Sequence, residues 1–231
     1  MKNSLKFIII ILLLSLFSIN LKSERQNLKI TPLMENALKY GRLYIQKKKI
    51  KGSPWPEITI ITSIDATPEQ SAAIFFAYDE HKEFIPDLLI SKPIRYLSPT
   101  KLHIYFEMNL PWPVRNSKFI TNNILSEIKG GGYKIRWEFV KSNSTKDSYG
   151  GVSFIPYKNK TMLIYENYTL PKSGLARIFK KAALKKVKKT VFSIKSRIET
   201  IVENKKDKLP HYIKNLHRAL NGEYIYKRIK P

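Results

Sequence analysis

Cysteine is absent from this 231-residue chain. That absence removes disulfides, thiolate nucleophiles, Cys-based metal sites and a lipidated N-terminal cysteine at one stroke. Acidic residues are scarce, with 18 Asp and Glu against 42 Lys and Arg and a formal charge of +24. Such an excess suits anionic partners, whether lipid or nucleic acid, and says nothing about fold. Histidine is rare as well. His81, His103, His211 and His217 stand at no metal-ligand spacing, and there is no HExxH. His81, within Asp79-Glu80-His81-Lys82-Glu83, reads as part of a solvated segment. No GxSxG signature occurs, and Gly130-Gly131-Gly132 lacks the Lys-Ser/Thr that would make it a phosphate loop. The triplet reads as a hairpin turn. These gaps leave no metal site, no cofactor and no recognised catalytic constellation.

Apolar and aromatic residues are plentiful, at 43% and 12%, enough for one domain with a true core. Residues 1–23 have the layout of an export segment, either a cleaved signal peptide or an uncleaved anchor. Lys2 and Lys6 precede an apolar run from Phe7 to Phe17, too short to cross a bilayer comfortably. Its removal takes away only Lys2, Lys6 and Lys22, so the remainder stays strongly basic. The expected location is outside the cytoplasm, periplasmic or secreted.

Residues 24–41 read as a polar lead-in with scattered Leu and Met. Arg42 to Lys51 and Glu57 to Asp65 alternate as strands, the second with Ile58, Ile60, Thr62 and Ile64 on one face. Thr67-Pro68-Glu69-Gln70 opens a helix: Thr67 caps, Pro68 suits the first turn, and Gln70 completes a capping box. Four to six strands follow, within 88–97, 101–110, 118–129, 133–141, 150–157 and 161–170, joined by short turns that imply an antiparallel sheet. Leu102, Ile104, Phe106 and Met108 alternate on one strand; Tyr133, Ile135, Trp137 and Phe139 do so on another.

The stretch 173–203 has no proline, and its one glycine is Gly174 at the entry. Leu175, Ile178, Phe179, Ala182, Val187, Val191, Ile194, Ile198 and Ile201 fall on one stripe of a helix that Ser173 can cap. About thirty residues make a helix of roughly 45 Å, which needs a broad apolar platform. Its other faces carry Arg177, Lys180, Lys181, Lys185, Lys186, Lys188, Lys189, Lys195 and Arg197. This charge fits either a solvated face or an anionic membrane surface, with Lys180, Lys181, Lys185 and Lys188 facing the membrane. Nucleic acid is not expected, because neither stacking aromatics nor a known module accompanies the charge. Residues 204–231 read as a basic tail in which Tyr212, Ile213, Leu216 and Leu220 mark a short helix. The fold class is α+β, an antiparallel sheet folded against one long C-terminal helix.

Several phrases then resemble the START-like superfamily, the SRPBCC or helix-grip proteins, which include StAR-related lipid-transfer domains and polyketide cyclase-like proteins. They are Ile64 to Glu69 leading into the first helix, Tyr78-Asp79-Glu80-His81 running to Phe84-Ile85-Pro86, Leu110-Pro111-Trp112-Pro113-Val114, Thr161 to Tyr165, and the Pro171 break before the last helix. The likeness spans residues 42–203. It implies a curved antiparallel sheet wrapped around the long C-terminal helix, and a hydrophobic cavity between sheet and helix, lined by Leu102, Ile104, Phe106, Met108, Ile135, Trp137, Phe139, Leu163, Tyr165 and Phe179. A monomer that binds, and transfers, a lipid or other hydrophobic ligand is the function so implied. Two other readings stay open. One is a cyclase- or hydrolase-type enzyme using Tyr105, Glu107 or Arg136 as acid, base or orienting group; the other is a non-catalytic envelope interaction protein. Glu107, Arg136, Glu138 and Glu166 are out of phase with the apolar sets, which fits a wet outer face; the alternative reverses the phase and sets an Arg–Glu pair in the cavity to orient a ligand's polar head.

Overall fold

Eight strands pair in the order β1-β2-β8-β7-β6-β5-β4-β3, every pair antiparallel. They are β1 (Tyr44–Lys49), β2 (Pro56–Ile64), β3 (Leu88–Ser98), β4 (Lys101–Met108), β5 (Ser117–Ile128), β6 (Gly132–Ser142), β7 (Thr145–Tyr157) and β8 (Lys160–Pro171). The helices are α1 (Pro32–Lys39), α2 (Pro68–Phe76), α3 (Lys180–Asn204) and α4 (Leu209–Leu220), with a 3-10 helix at Tyr78–Glu83. This computed structural model describes residues 30–110, 115–172, 180–226 and 229, and side chains of α3 from Ala182 onward. The chain divides into two units, Met1–Thr31 and Pro32–Pro231, and all of these elements belong to the second. The export segment 1–23, the cap Ser173, and Leu175, Arg177, Ile178 and Phe179 lie outside the described residues.

The order of the strands follows from one long connection. β2 lies beside the edge strand β1, whereas β3 forms the opposite edge, so the chain between them must cross the sheet. The crossing segment holds α2 and the 3-10 helix. α2 starts as expected: the Gln70 amide donates to Thr67 Oγ1 at 3.2 Å, and the Thr67 amide donates to Gln70 Oε1 at 2.9 Å. Its residues Ala72, Ala73, Ile74, Phe75 and Phe76 are all buried. From β3 the chain returns as a meander until β8 pairs with β2. The β5–β6 turn uses Gly130 at φ +100° and Gly131 at φ +85°, a region that strongly favours glycine. The edge strand β3 contains Pro93 and three register shifts, features that discourage pairing with another chain.

Residues opposite one another in an antiparallel ladder share a face. Ile60, Tyr165, Val152, Ile135 and Leu125 therefore form one row across the inner face. α3 lies against that face through Val191, Ile194, Ile198 and Ile201, with Leu184, Val187 and Val202 half-buried beside them. Ala182, expected on the stripe, is exposed, and Leu184 packs against the core instead. Behind the sheet, α1 covers β2 and β8 through Met34, Leu38, Ile61 and Met162. β2 is thus apolar on both faces.

The segment expected as a basic tail is built into the core. α4 buries Tyr212, Leu216 and Ala219 in the same cluster as α2 and α3. Beyond it the Ile225 and Tyr226 amides donate to Tyr96 Oη at 3.0 and 2.8 Å, and Tyr226 Oη accepts from the Tyr78 amide at 3.0 Å. The expected short helix is present, and its apolar side packs against α2 and the core.

Two cations expected on the outer face of α3 are used internally. Arg197 donates to Glu80 at 2.6 Å and Glu83 at 2.9 Å, and Tyr212 Oη donates to the same Glu80 oxygen at 2.6 Å. Lys195 donates to Glu199 at 2.6 Å and to the Ser63 carbonyl at 2.7 Å. The Arg197 cluster ties α3 to the 3-10 helix and to α4. Since Glu80 and Glu83 are partly exposed, Arg197→Met is expected to cost about 2 kcal/mol in a denaturant titration, less than a fully buried pair would. A loss below about 0.5 kcal/mol would mean that solvent already screens the cluster.

Candidate functional site

The nine described residues of the expected cavity wall share the inner face of the sheet. Ladder register sets Leu102 opposite Asn123, Asn123 opposite Trp137, Trp137 opposite Gly150, and Gly150 opposite Asn167. The neighbouring row runs Ile104, Thr121, Phe139. Phe106, Met108, Ile135, Leu163 and Tyr165 fall in the same phase, and Phe179 lies outside the described residues.

That face is not uniform along the strands. Leu102, Ile104, Leu125, Ile135, Val152, Phe154 and Leu163 are fully buried in the cluster formed with α2 and α3. Phe106, Met108, Phe119, Trp137, Phe139, Tyr165 and Asn167 are half-buried. The second set gathers at the end where the chain leaves β4 and β8. Tyr165 is informative here. The residue is only half-buried, yet burial pushes the pKa of its hydroxyl upward. A side chain facing enclosed space meets both conditions, since it is surrounded by protein without being packed on all sides.

Trp137 owes its position to a glycine. A Cβ on Gly150 would stand 2.7 Å from Trp137 Cζ2 and 2.2 Å from the Glu166 carbonyl oxygen. The bare backbone lets the indole lie across β7 and meet the Tyr165 ring at 5.4 Å. At the other side of the face Phe106 stacks on Phe119 at 5.2 Å, and His81 lies over Phe106 at 6.5 Å with a 21° tilt.

His81 is the clearest departure from the sequence reading. It is 3% exposed, ringed by Phe75, Tyr78, Phe84 and Phe106. Its Nε2–H donates to the Phe75 carbonyl at 2.7 Å, which fixes the neutral tautomer. Desolvation pushes its pKa down to about 4, against smaller opposing effects from that hydrogen bond and from Glu80. It is a structural histidine.

Polar groups sort by face. Glu107 accepts from Tyr105 at 3.1 Å and Asn116 at 3.0 Å, and pairs with Lys118 at 3.7 Å. Arg136 pairs with Glu138 at 3.1 Å, and Glu166 with Lys134 at 3.8 Å. All of these belong to the outer phase of their strands. Tyr105, Glu107 and Arg136 therefore do not converge on the inner face, and the enzymatic reading loses the residues it named. No cluster of three or more His, Asp or Glu suited to a metal occurs among the described residues.

Sequence reasoning missed two sets of residues. Thr121, Asn123 and Asn167 place neutral polar groups on the inner face, which the alternation of β5 and β8 around Leu125 and Tyr165 could have revealed. Phe192, 62% exposed on the outer side of α3, was hidden among the lysines. Lys185, Lys188 and Lys189 are exposed on the same helix, whereas Lys186 pairs with Asp87 at 3.1 Å. The side chains of Lys180 and Lys181 lie outside the description. Two open depressions, of about 560 Å³ over α4 and about 320 Å³ beside Phe84 and Phe192, lie away from the inner face.

The topology, a curved antiparallel sheet around a long C-terminal helix with α2 crossing between the first strand pair and the meander, is the START-like, helix-grip fold. Solved structures carry that likeness. Human STARD10 is 17% identical, with a TM-score of 0.65 over 79% of this chain and 80% of its own. A STAR-related lipid transfer protein from Xanthomonas axonopodis is 15% identical, with a TM-score of 0.61 over 68% of this chain and 93% of its own. The Zhui aromatase/cyclase from Streptomyces sp. R1128, at 7% identity, has a TM-score of 0.56 over 70% and 98%. At those identities the likeness is one of fold. No protein-family model and no curated protein sequence matches the chain.

Proposed function

We propose that residues 42–203 form the core of a non-catalytic, monomeric binder of lipid or another hydrophobic molecule, held between the inner face of the sheet and α3. The observation that carries this is the half-buried apolar set of Phe106, Met108, Phe119, Trp137, Phe139 and Tyr165 beside a fully packed core. Apolar side chains left partly accessible beneath a long helix are the expected lining of a ligand site. The names of the STAR-related structural neighbours support the same reading. Native mass spectrometry of the purified protein tests it. A copurified hydrophobic molecule, released by organic extraction, is expected; protein that stays ligand-free whatever lipid is supplied would overturn the reading.

The sequence of residues 1–23 supports work outside the cytoplasm, and the face of α3 supports docking on an anionic membrane. Lys185, Lys188, Lys189 and Phe192 join cations to an exposed aromatic, the composition of an interfacial helix. No helix among the described residues is long and apolar enough to cross a bilayer. Each lysine near an anionic surface contributes about 1 kcal/mol, fading within a Debye length of about 8 Å. Replacing Lys180, Lys181, Lys185 and Lys188 by Gln is expected to weaken binding to anionic vesicles at least tenfold, with little change on neutral ones. Transfer of ligand from those vesicles should slow in step. Equal binding by variant and parent would reduce the charge to a solvated face.

A further inference from the structure

The inner face combines two properties that together define the chemistry of its ligand. In the strand phases that form it, the charged side chains among the described residues are Lys47, Lys49 and Glu127, all exposed at its rims. Around Trp137 the polar groups are neutral: Thr121, Asn123, Tyr165 and Asn167. Asparagine is depleted from strands and from interiors, so two on this face call for a physical reason.

Their hydrogen bonds supply one. Asn123, 4% exposed, donates through Nδ2 to Thr121 Oγ1 at 2.8 Å and to the Thr121 carbonyl at 3.2 Å. The carbonyl can only accept, so the orientation of the amide is set and Oδ1 points away from Thr121. That oxygen has no partner among the described residues. Neither has the Asn167 amide, nor the Tyr165 hydroxyl, whose pKa is raised by burial with no hydrogen bond contributing. These atoms are not sealed from accessible space, so they face room in which water or a ligand completes their hydrogen bonds. Asn123 and Asn167 flank the indole of Trp137 in one row, with Tyr165 two residues from Asn167 on the same strand.

We infer that the molecule held on this face is an uncharged amphiphile, whose hydroxyl, carbonyl or amide group is hydrogen-bonded by Asn123 or by Asn167 with Tyr165 and whose apolar body lies on Trp137, Phe139 and Phe106. The inference rests on the ligand-binding reading above and narrows it. A phosphate, sulfate, carboxylate or ammonium drawn onto the same floor would lose its hydration and find no opposite charge beside Trp137 among the described side chains of the face. A neutral group loses far less, and the three unpartnered protein groups recover what it gives up.

The test compares probes of one chain length with the delipidated full chain, each kept below its micelle-forming concentration. Hexadecanol and hexadecanamide are expected to bind at least tenfold more tightly than hexadecyl sulfate and hexadecyltrimethylammonium. Of the variants Asn123→Leu and Asn167→Leu, at least one is expected to lose tenfold in hexadecanol affinity while keeping its affinity for hexadecane. Both replacements put an apolar side chain on an apolar face, and unchanged circular dichroism identifies the folded samples. Charged probes that bind as well as the alcohol, or alcohol binding that neither variant weakens, would overturn the neutral-ligand inference and leave the hydrophobic-binder reading standing. Failure of every probe, hexadecane included, would remove that broader reading and this one with it.

Discussion

Gly150→Val is expected to lower stability by about 3 kcal/mol or more, the large end of what overpacking does. The first added carbon would already stand 2.2 Å from the Glu166 carbonyl on β8 and 2.7 Å from the indole of Trp137. The carbonyl belongs to β8, a strand laddered to β2 and β7, and cannot swing away as a flexible side chain would. Either β7 separates from β8 at the Gly150–Asn167 pair, or Trp137 leaves its place against Tyr165. Gly151→Ala is the natural comparison, because a Cβ there meets the Ile135 carbonyl at 3.1 Å and is relieved by a small shift. Urea midpoints for the two variants should therefore differ widely, and the Gly150 variant should also show altered near-ultraviolet circular dichroism from the displaced indole. A loss under about 1 kcal/mol at Gly150 would mean that the strands adjust more easily than a continuous ladder allows.

A second large effect should appear on acidification. His81 is neutral in the fold with its pKa lowered to about 4, against an ordinary value of 6.5. Above pH ~6.5 the ring is neutral whether the chain is folded or not, so it contributes no pH dependence there. As the pH falls through that value, the unfolded chain takes up a proton that the folded one refuses. Stability then declines by about 1.4 kcal/mol per pH unit, to a total of about 3 kcal/mol near pH 4, below which the decline from this group ends. Replacing the ring by leucine removes this pH dependence. The difference in unfolding free energy between His81→Leu and the parent should move by about 3 kcal/mol in favour of the variant as the pH drops from 6.5 to 4, whatever the fixed cost of the substitution at neutral pH. Parallel curves would show that His81 titrates in the folded protein as it does in solution.

Much of the architecture was legible because its signals are local. Four residues from Thr67 to Gln70 announced α2, and the Gly130-Gly131 turn announced a hairpin. Period-two alternation put Leu102 to Met108 and Ile135 to Phe139 on one face, which the ladder register bears out. The outward phase of Glu107, Arg136 and Glu166 was readable for the same reason. What the sequence hid depends on residues far apart along the chain. Nothing in Asp79-Glu80-His81-Lys82-Glu83 tells that Phe75, Phe84 and Phe106 will close around the histidine. Nothing in a run of lysines separates Arg197, which finds Glu80 across more than a hundred residues, from Lys188, which finds water. Asn123 and Asn167 keep the inward phase of their strands, but an amide in that phase carries no apolar signal to mark it.

The pairing of β2 with β8 also governs how the chain acquires its shape. β2 ends at Ile64, and the strand it needs on its inner side, Lys160–Pro171, leaves the ribosome roughly a hundred residues later. Closing so long a loop is entropically costly before any contact rewards it, which makes this junction slow relative to the hairpins between. During that delay Ile58, Ile60, Ile61 and Ile64 form an apolar ribbon awaiting its neighbour. The tract just before it, Lys47-Lys48-Lys49-Ile50-Lys51, carries a block of like charge that repels a second copy in the same condition. The basic edge strand thus has the composition and the place of a gatekeeper beside an apolar strand whose partner is made late.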